Sequence, residues 1–152
     1  MLKKLNTRHA GFTLVEIMIV VAIIALLAAI AVPNFLRSRK RSQATQVLED
    51  LRIIDAAVDQ YAIENNKGLG QVAYWSDVQK YIKTDTRLYS ANANDILGNP
   101  VAGWPLVPGS TWGVFGIGGS INVVVNPATY NALSDVAPST FWSPYLDPRN
   151  SY

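Results

Sequence analysis

The sequence predicts an α+β chain: a long N-terminal helix, membrane-spanning in its first half, packed on a small antiparallel β-sheet head. Three observations carry this. Phe12 to Val32 is an apolar run of 21 residues in which Glu16 is the only charge. Val47, Leu51, Ile54, Val58 and Tyr61 then recur at spacings of 4, 3, 4 and 3, which places them on one face of an amphipathic helix. From Gly68 onward the chain breaks into short elements, with strand-forming residues gathered between Trp112 and Val125.

The order along the chain follows from these signals. Residues 1–11 form a polar leader with Lys3, Lys4 and Arg8, basic residues of the kind that stay on the cytoplasmic side. Residues 12–32 form the spanning helix; at a rise of ~1.5 Å per residue they cover ~30 Å, the thickness of a bilayer's hydrocarbon core. Glu16 is the anomaly in that run. A carboxylate at the bilayer centre costs ~2.5–3.5 kcal/mol, so an intramembrane acid points to a function unless it sits at the wet membrane edge. Ala29-Ile30-Ala31 offers a competing reading as a secretory cleavage site. Glu16 inside the apolar region, and a run longer than the ~7–15 residues of such signals, speak against it.

Gly11-Phe12-Thr13-Leu14-Val15-Glu16 resembles the processing motif of type IV prepilins and type II secretion pseudopilins. The resemblance implies a pilin-like fold, cleavage between Gly11 and Phe12 by a membrane prepilin peptidase, and methylation of the new Phe12 amine. It also implies that Glu16, with Thr13 and Pro33, serves filament assembly, the carboxylate pairing with the amine of a neighbouring subunit. A rigid helix is expected to hold the Phe12 amine ~6 Å along the axis from Glu16 of its own chain, which favours the pairing between copies.

Residues 33–66 continue as the amphipathic helix of the head. Pro33 removes one backbone hydrogen bond and crowds the carbonyl four residues back, so a kink or local melting is expected over residues 29–33. Arg37, Arg39, Lys40 and Arg41 form a basic collar just past the apolar run. Three charges precede the span and four follow it, so the charge bias leaves the orientation open. The resemblance implies leader inside and head outside. Asn65-Asn66-Lys67-Gly68 is a stop signal, with Gly68 suited to the left-handed residue after the cap.

Residues 67–152 hold short helices, loops and a small sheet. Ser76-Asp77-Val78-Gln79 reads as a capping box opening two turns of helix to Ile82. Gly116-Ile117-Gly118-Gly119 reads as the turn of a hairpin within Trp112–Val125. Asn126-Pro127 reads as an N-cap with proline in the first turn of a helix to Leu133. Phe141 to Tyr152, aromatic and broken by prolines, reads as an extended strap. Asp95-Ile96-Leu97-Gly98-Asn99-Pro100 is similar to a segment of major pseudopilins, between their long helix and their sheet. Those proteins also carry a calcium loop near the C-terminus. Asp135 and Asp147 stand isolated here, whereas calcium takes about six to eight oxygens, so neither metal nor cofactor is expected.

Charge and composition narrow the function. The net charge is +2, but the basic leader hides an acidic remainder: past residue 45 there are six basic and ten acidic residues. That sign disfavours nucleic acid as a partner. With no cysteine, disulfides and thiolate chemistry are excluded, and His9, the only histidine, lies in the leader. Phosphate-loop, zinc-helix and nucleophile-elbow motifs are missing, so no enzyme is expected. Asp55 and Asp59, one turn apart, read as a solvated face. Four tryptophans could form a ligand platform, but covering the helix of a small head is the better use. The expected protein is a type II secretion pseudopilus subunit, with a type IV pilus subunit, a non-polymerising membrane-anchored binding protein, and a secreted enzyme released after Ala31 as alternatives. Its expected partners are copies of itself, minor pilin-like subunits, the prepilin peptidase, an inner-membrane assembly platform, and membrane lipid before assembly. It is expected in the inner membrane by a single span, and in an envelope filament afterwards.

Overall fold

The computed structural model describes residues 11–103 and 113–147. The chain divides into two compact units, Met1–Ser38 and Arg39–Tyr152. The first holds the opening part of α1, a helix of 51 residues from Leu14 to Glu64. Pro33 lies inside it, and residues 29–33 stay helical, so the expected melting does not occur. The flanking turns supply enough hydrogen bonds to outlast the one that proline removes.

In the second unit the rest of α1 forms one wall of the core. Val47, Leu51, Ile54 and Val58 are buried as their spacing demands, joined by Ala44, Leu48, Ala57 and Ala62. Tyr61 packs at the edge against Tyr81, ring edge to face. The helix ends on Asn66, which takes the left-handed conformation (φ 52°) while the Lys67 N–H closes on the Ala62 carbonyl at 2.8 Å. The stop thus falls two residues before Gly68, because asparagine tolerates that conformation and the Schellman-type bond is already complete there.

The head continues with β1 (Val72–Tyr74), α2 (Trp75–Val78) and a 3-10 turn (Gln79–Tyr81). α3 (Arg87–Ser90), β2 (Ala102–Gly103), β3 (Val114–Gly116) and β4 (Val123–Val124) follow, then α4 (Pro127–Leu133) and α5 (Ser139–Trp142). The strands pair antiparallel as β1 with β3 (Ala73 opposite Phe115) and β2 with β4 (Gly103 opposite Val123). The hairpin expected within residues 112–125 is therefore absent: β3 and β4 each take another partner, and Gly116 belongs to β3. Gly103 lies against β3: a Cβ built on it would lie 2.2 Å from the Val114 carbonyl oxygen, so only glycine fits there.

Local chemistry sets the remaining ends. α2 starts two residues before the position expected from Ser76, with the Asp77 carboxylate accepting from the Tyr74 N–H at 3.3 Å. α4 begins as expected, the Asn126 Oδ1 accepting from the Ala128 N–H at 2.8 Å ahead of Pro127. Phe141 and Trp142 belong to α5 rather than to an extended strap. Trp142 is fully buried and its indole N–H reaches the Ala137 carbonyl at 3.0 Å, which winds the segment back on itself. Residues 148–152 of the proposed strap, and Trp104 and Trp112, lie outside the described residues.

Candidate functional site

The first unit presents exposed apolar side chains along its helix. Phe12 is 78% exposed and Leu26 65% exposed, and the large apolar residues between Leu14 and Leu36 share that condition. Each would gain roughly 1.5–3 kcal/mol on full burial. A surface of that size calls for lipid or for other protein. Among the described residues, α1 is the one helix long and apolar enough to cross a membrane.

Gly11, Phe12 and Thr13 precede the helix. Thr13 caps it: its Oγ1 accepts from the Glu16 backbone N–H at 3.2 Å, satisfying a donor the first turn leaves open. Thr13 and Glu16 thus stand in the relation of a capping box, a pattern legible in the sequence beside the processing motif. The Thr13 carbonyl also accepts from the Ile17 N–H at 3.3 Å, so the helical ladder of hydrogen bonds begins at Thr13. Glu16 itself is exposed on the first turn, and Pro33 is exposed about five turns further on.

In the second unit polar groups tie the head to α1. Asp55 Oδ1 accepts from both the backbone N–H (2.7 Å) and the side-chain amide (2.9 Å) of Asn122, and that amide also donates to Asp59 at 2.7 Å. The pair read as a solvated face is therefore a latch. Burial raises the Asp55 carboxyl above its usual range, against the Asn122 bonds that pull it down. Burial likewise pushes up the Tyr145 hydroxyl, and the neighbouring Asp55 charge adds to the rise. Asp50 pairs with Arg87, whose guanidinium also donates to the Asn94 carbonyl at 3.3 Å. Burial outweighs that pairing and leaves Asp50 raised as well. Lys40, alone of the collar, meets an acid: its Nζ lies 3.0 Å from Asp135.

Asp95 organises a second knot. It is buried, and its Oδ1 accepts from the Leu97 and Asn99 N–H groups, each at 2.9 Å, while Oδ2 takes the Thr129 hydroxyl. Gly98 supplies the positive φ (83°) that the turn between them needs. Asn99 donates to Thr129 at 2.9 Å, and Asn126 to the Pro100 carbonyl at 2.8 Å, so this loop is fastened to the start of α4. Asn122, Thr129 and Tyr145 escaped the sequence reading. The available signal was a polar residue inside the apolar stretch Ile121–Val125, since a buried amide needs partners. Among the described residues no group of three acids or histidines converges on a point where a metal could sit.

A long apolar N-terminal helix with a capped, acid-bearing first turn, followed by a small α+β unit, is a pilin-like architecture. The family described as "Prokaryotic N-terminal methylation motif" matches residues 6–32. The type IV major pilin protein PilE1 of Neisseria gonorrhoeae is 34% identical over 116 residues, covering 66% of this chain and 70% of that protein. The type II secretion system core protein G of Klebsiella pneumoniae is 37% identical over 60 residues, covering 40% of this chain and 43% of that protein. The type IV major pilin protein PilA of Myxococcus xanthus is 42% identical over 64 residues, 42% of this chain and 29% of that protein. The chain thus spans less than half the length of these last two relatives. No solved structure matches it. The chain belongs to the prepilin family of type IV pilins and type II secretion pseudopilins.

Proposed function

We propose that this chain is a structural, non-catalytic subunit that polymerises through α1 into a type II secretion pseudopilus. The observation that carries the filament role is the exposed apolar first part of α1, headed by Glu16 on its Thr13-capped first turn. Cleavage after Gly11 and methylation of Phe12 prepare the subunit. The Phe12 amine of an incoming copy then meets Glu16, relieving the cost of two unpaired charges in an apolar core. Pro33 lets the helix adjust as subunits seat. The chain waits in the inner membrane as a single span with the head outside the cytoplasm. It meets the prepilin peptidase, an assembly platform and minor pilin-like subunits there. The Asp95–Pro100 turn, similar to that of major pseudopilins, supports the secretion system. A match covering 66% of this chain is to a type IV major pilin, and it supports a pilus subunit as the second reading.

Glu16→Gln keeps shape and removes charge. It is expected to yield cleaved, folded, membrane-resident protein that assembles poorly or not at all, with Glu16→Asp between. Intact-mass measurement should find an N-terminal methylated Phe12 in both. Normal filament numbers with Glu16→Gln would overturn the pairing role. Loss of protein secretion on deletion, without loss of surface pili, selects the pseudopilus; the converse selects the pilus.

A further inference from the structure

We propose that the arginines of the collar, Arg37, Arg39 and Arg41, bind the phosphates of anionic phospholipids around α1 before the subunit leaves the membrane. This deepens the reading of α1 as a span and requires nothing of the filament. All three side chains are exposed, and among the described residues none has a carboxylate partner, whereas Lys40 is taken by Asp135.

Their placement fits a sheet of phosphates better than a protein neighbour. At ~100° per residue, Arg37 and Arg41 lie ~40° apart on the helix and Arg39 lies ~160° from either. A single docked subunit covers one side of a helix; a lipid headgroup layer surrounds it. Depth agrees. Phe12 to Leu36 spans ~37 Å, against ~30 Å of hydrocarbon and ~40–45 Å with both headgroup layers. The collar therefore falls at or just beyond the far headgroups, and helical side chains lean toward the N-terminus, back to the bilayer. Guanidinium suits the site because it grips phosphate through two parallel N–H bonds and stays charged. Four basic residues after a span also oppose the usual bias of positive charge toward the cytoplasm. Lipid binding gives them a use that outlasts insertion.

The test uses the full chain in detergent, monomeric, titrated with phosphatidylglycerol or phosphatidylcholine and read by native mass spectrometry. Leader charges are removed in the background (Lys3→Gln, Lys4→Gln, Arg8→Gln) so that only the collar differs. Each basic residue near a membrane surface favours anionic lipid by roughly fivefold. The collar should thus prefer phosphatidylglycerol strongly, and Arg37→Gln/Arg39→Gln/Arg41→Gln should bring the two lipids near parity. The corresponding lysine triple keeps most of the preference and shows that charge, not unfolding, is responsible. Equal binding of both lipids, or a preference untouched by the glutamine triple, overturns the proposal. If lipids are not distinguished and the glutamine triple still blocks assembly, the collar instead contacts a neighbouring subunit. Failure of the Glu16 experiment leaves this measurement standing, because monomers suffice for it.

Discussion

The latch between Asp55 and Asn122 allows a sharp test, because two opposed effects meet in one side chain. Asn122→Ala removes the amide bond to half-buried Asp55, and a hydrogen bond to a charged group is worth ~1.5–3 kcal/mol. The second amide bond ends on exposed Asp59, where water replaces it at little cost. Against this, Asn122 Oδ1 is buried without a partner, a burden of ~1–3 kcal/mol that the substitution also removes. The single variant is therefore expected to fall between a gain of about 1.5 and a loss of about 2 kcal/mol, a smaller cost than a residue 2% exposed would suggest. The pairwise term is larger than the net. In a cycle with Asp55→Ala, the coupling should be ~1.5–3 kcal/mol, since the double variant loses the bond only once. Urea melts of the head from Arg39 onward, the unit expected to fold without the span, measure all four species. A coupling below ~0.5 kcal/mol would refute the latch.

Leu51→Ala in the same fragment should cost ~2–5 kcal/mol, because Leu51 is fully buried; a loss below ~0.5 in the same melts would mean the stripe does not face the core. Gly103→Ala should cost ~1–3 kcal/mol, because its Cβ meets backbone rather than a movable side chain, and an unchanged melting midpoint would show that β2 does not lie against β3. Acid should stabilise the latch region: the folded head holds the Asp55 and Asp50 protons more tightly than the unfolded chain. That contribution is complete below the unfolded carboxylate range and is lost as pH rises through the raised folded values. Urea midpoints taken downward from pH 7 should show it, and Asp55→Asn should remove its share. Glu64, lowered by its Tyr81 bond, acts in the opposite direction but is fully exposed.

How much of this was legible in the chain depends on the range of the interaction. The buried stripe from Val47 to Val58 follows from helical period alone. The cap at Asn126 is a contact two residues long and could be read directly. The strands could not, because they are two or three residues each and their partners lie about 20 to 44 residues away along the chain. Nothing local distinguishes a hairpin at Gly116–Gly119 from the pairing found, in which β3 takes β1 and β4 takes β2. The latches failed to show for a similar reason. Asp55 and Asp59 look like an outward face until Asn122, more than 60 residues later, is brought onto them. At the candidate site the motif was visible, whereas the Thr13 cap was overlooked although its spacing stood in plain view.

The short strands also explain why this head depends on polar side chains. A two- or three-residue ladder carries few backbone bonds, too few to fix a sheet upon a helix. Apolar packing along α1 supplies adhesion but little register, since neighbouring aliphatic contacts exchange at small cost. Register comes instead from directional bonds. Asp50 reaches Arg87, Asp55 and Asp59 reach Asn122, and Lys40 reaches Asp135, so three separate segments of the head are each tied to α1. Distributed polar ties resist sliding along the helix axis in a way that a greasy face alone does not. The same helix thus has two characters: an apolar first part that is exposed, and a second part to which the head is tied.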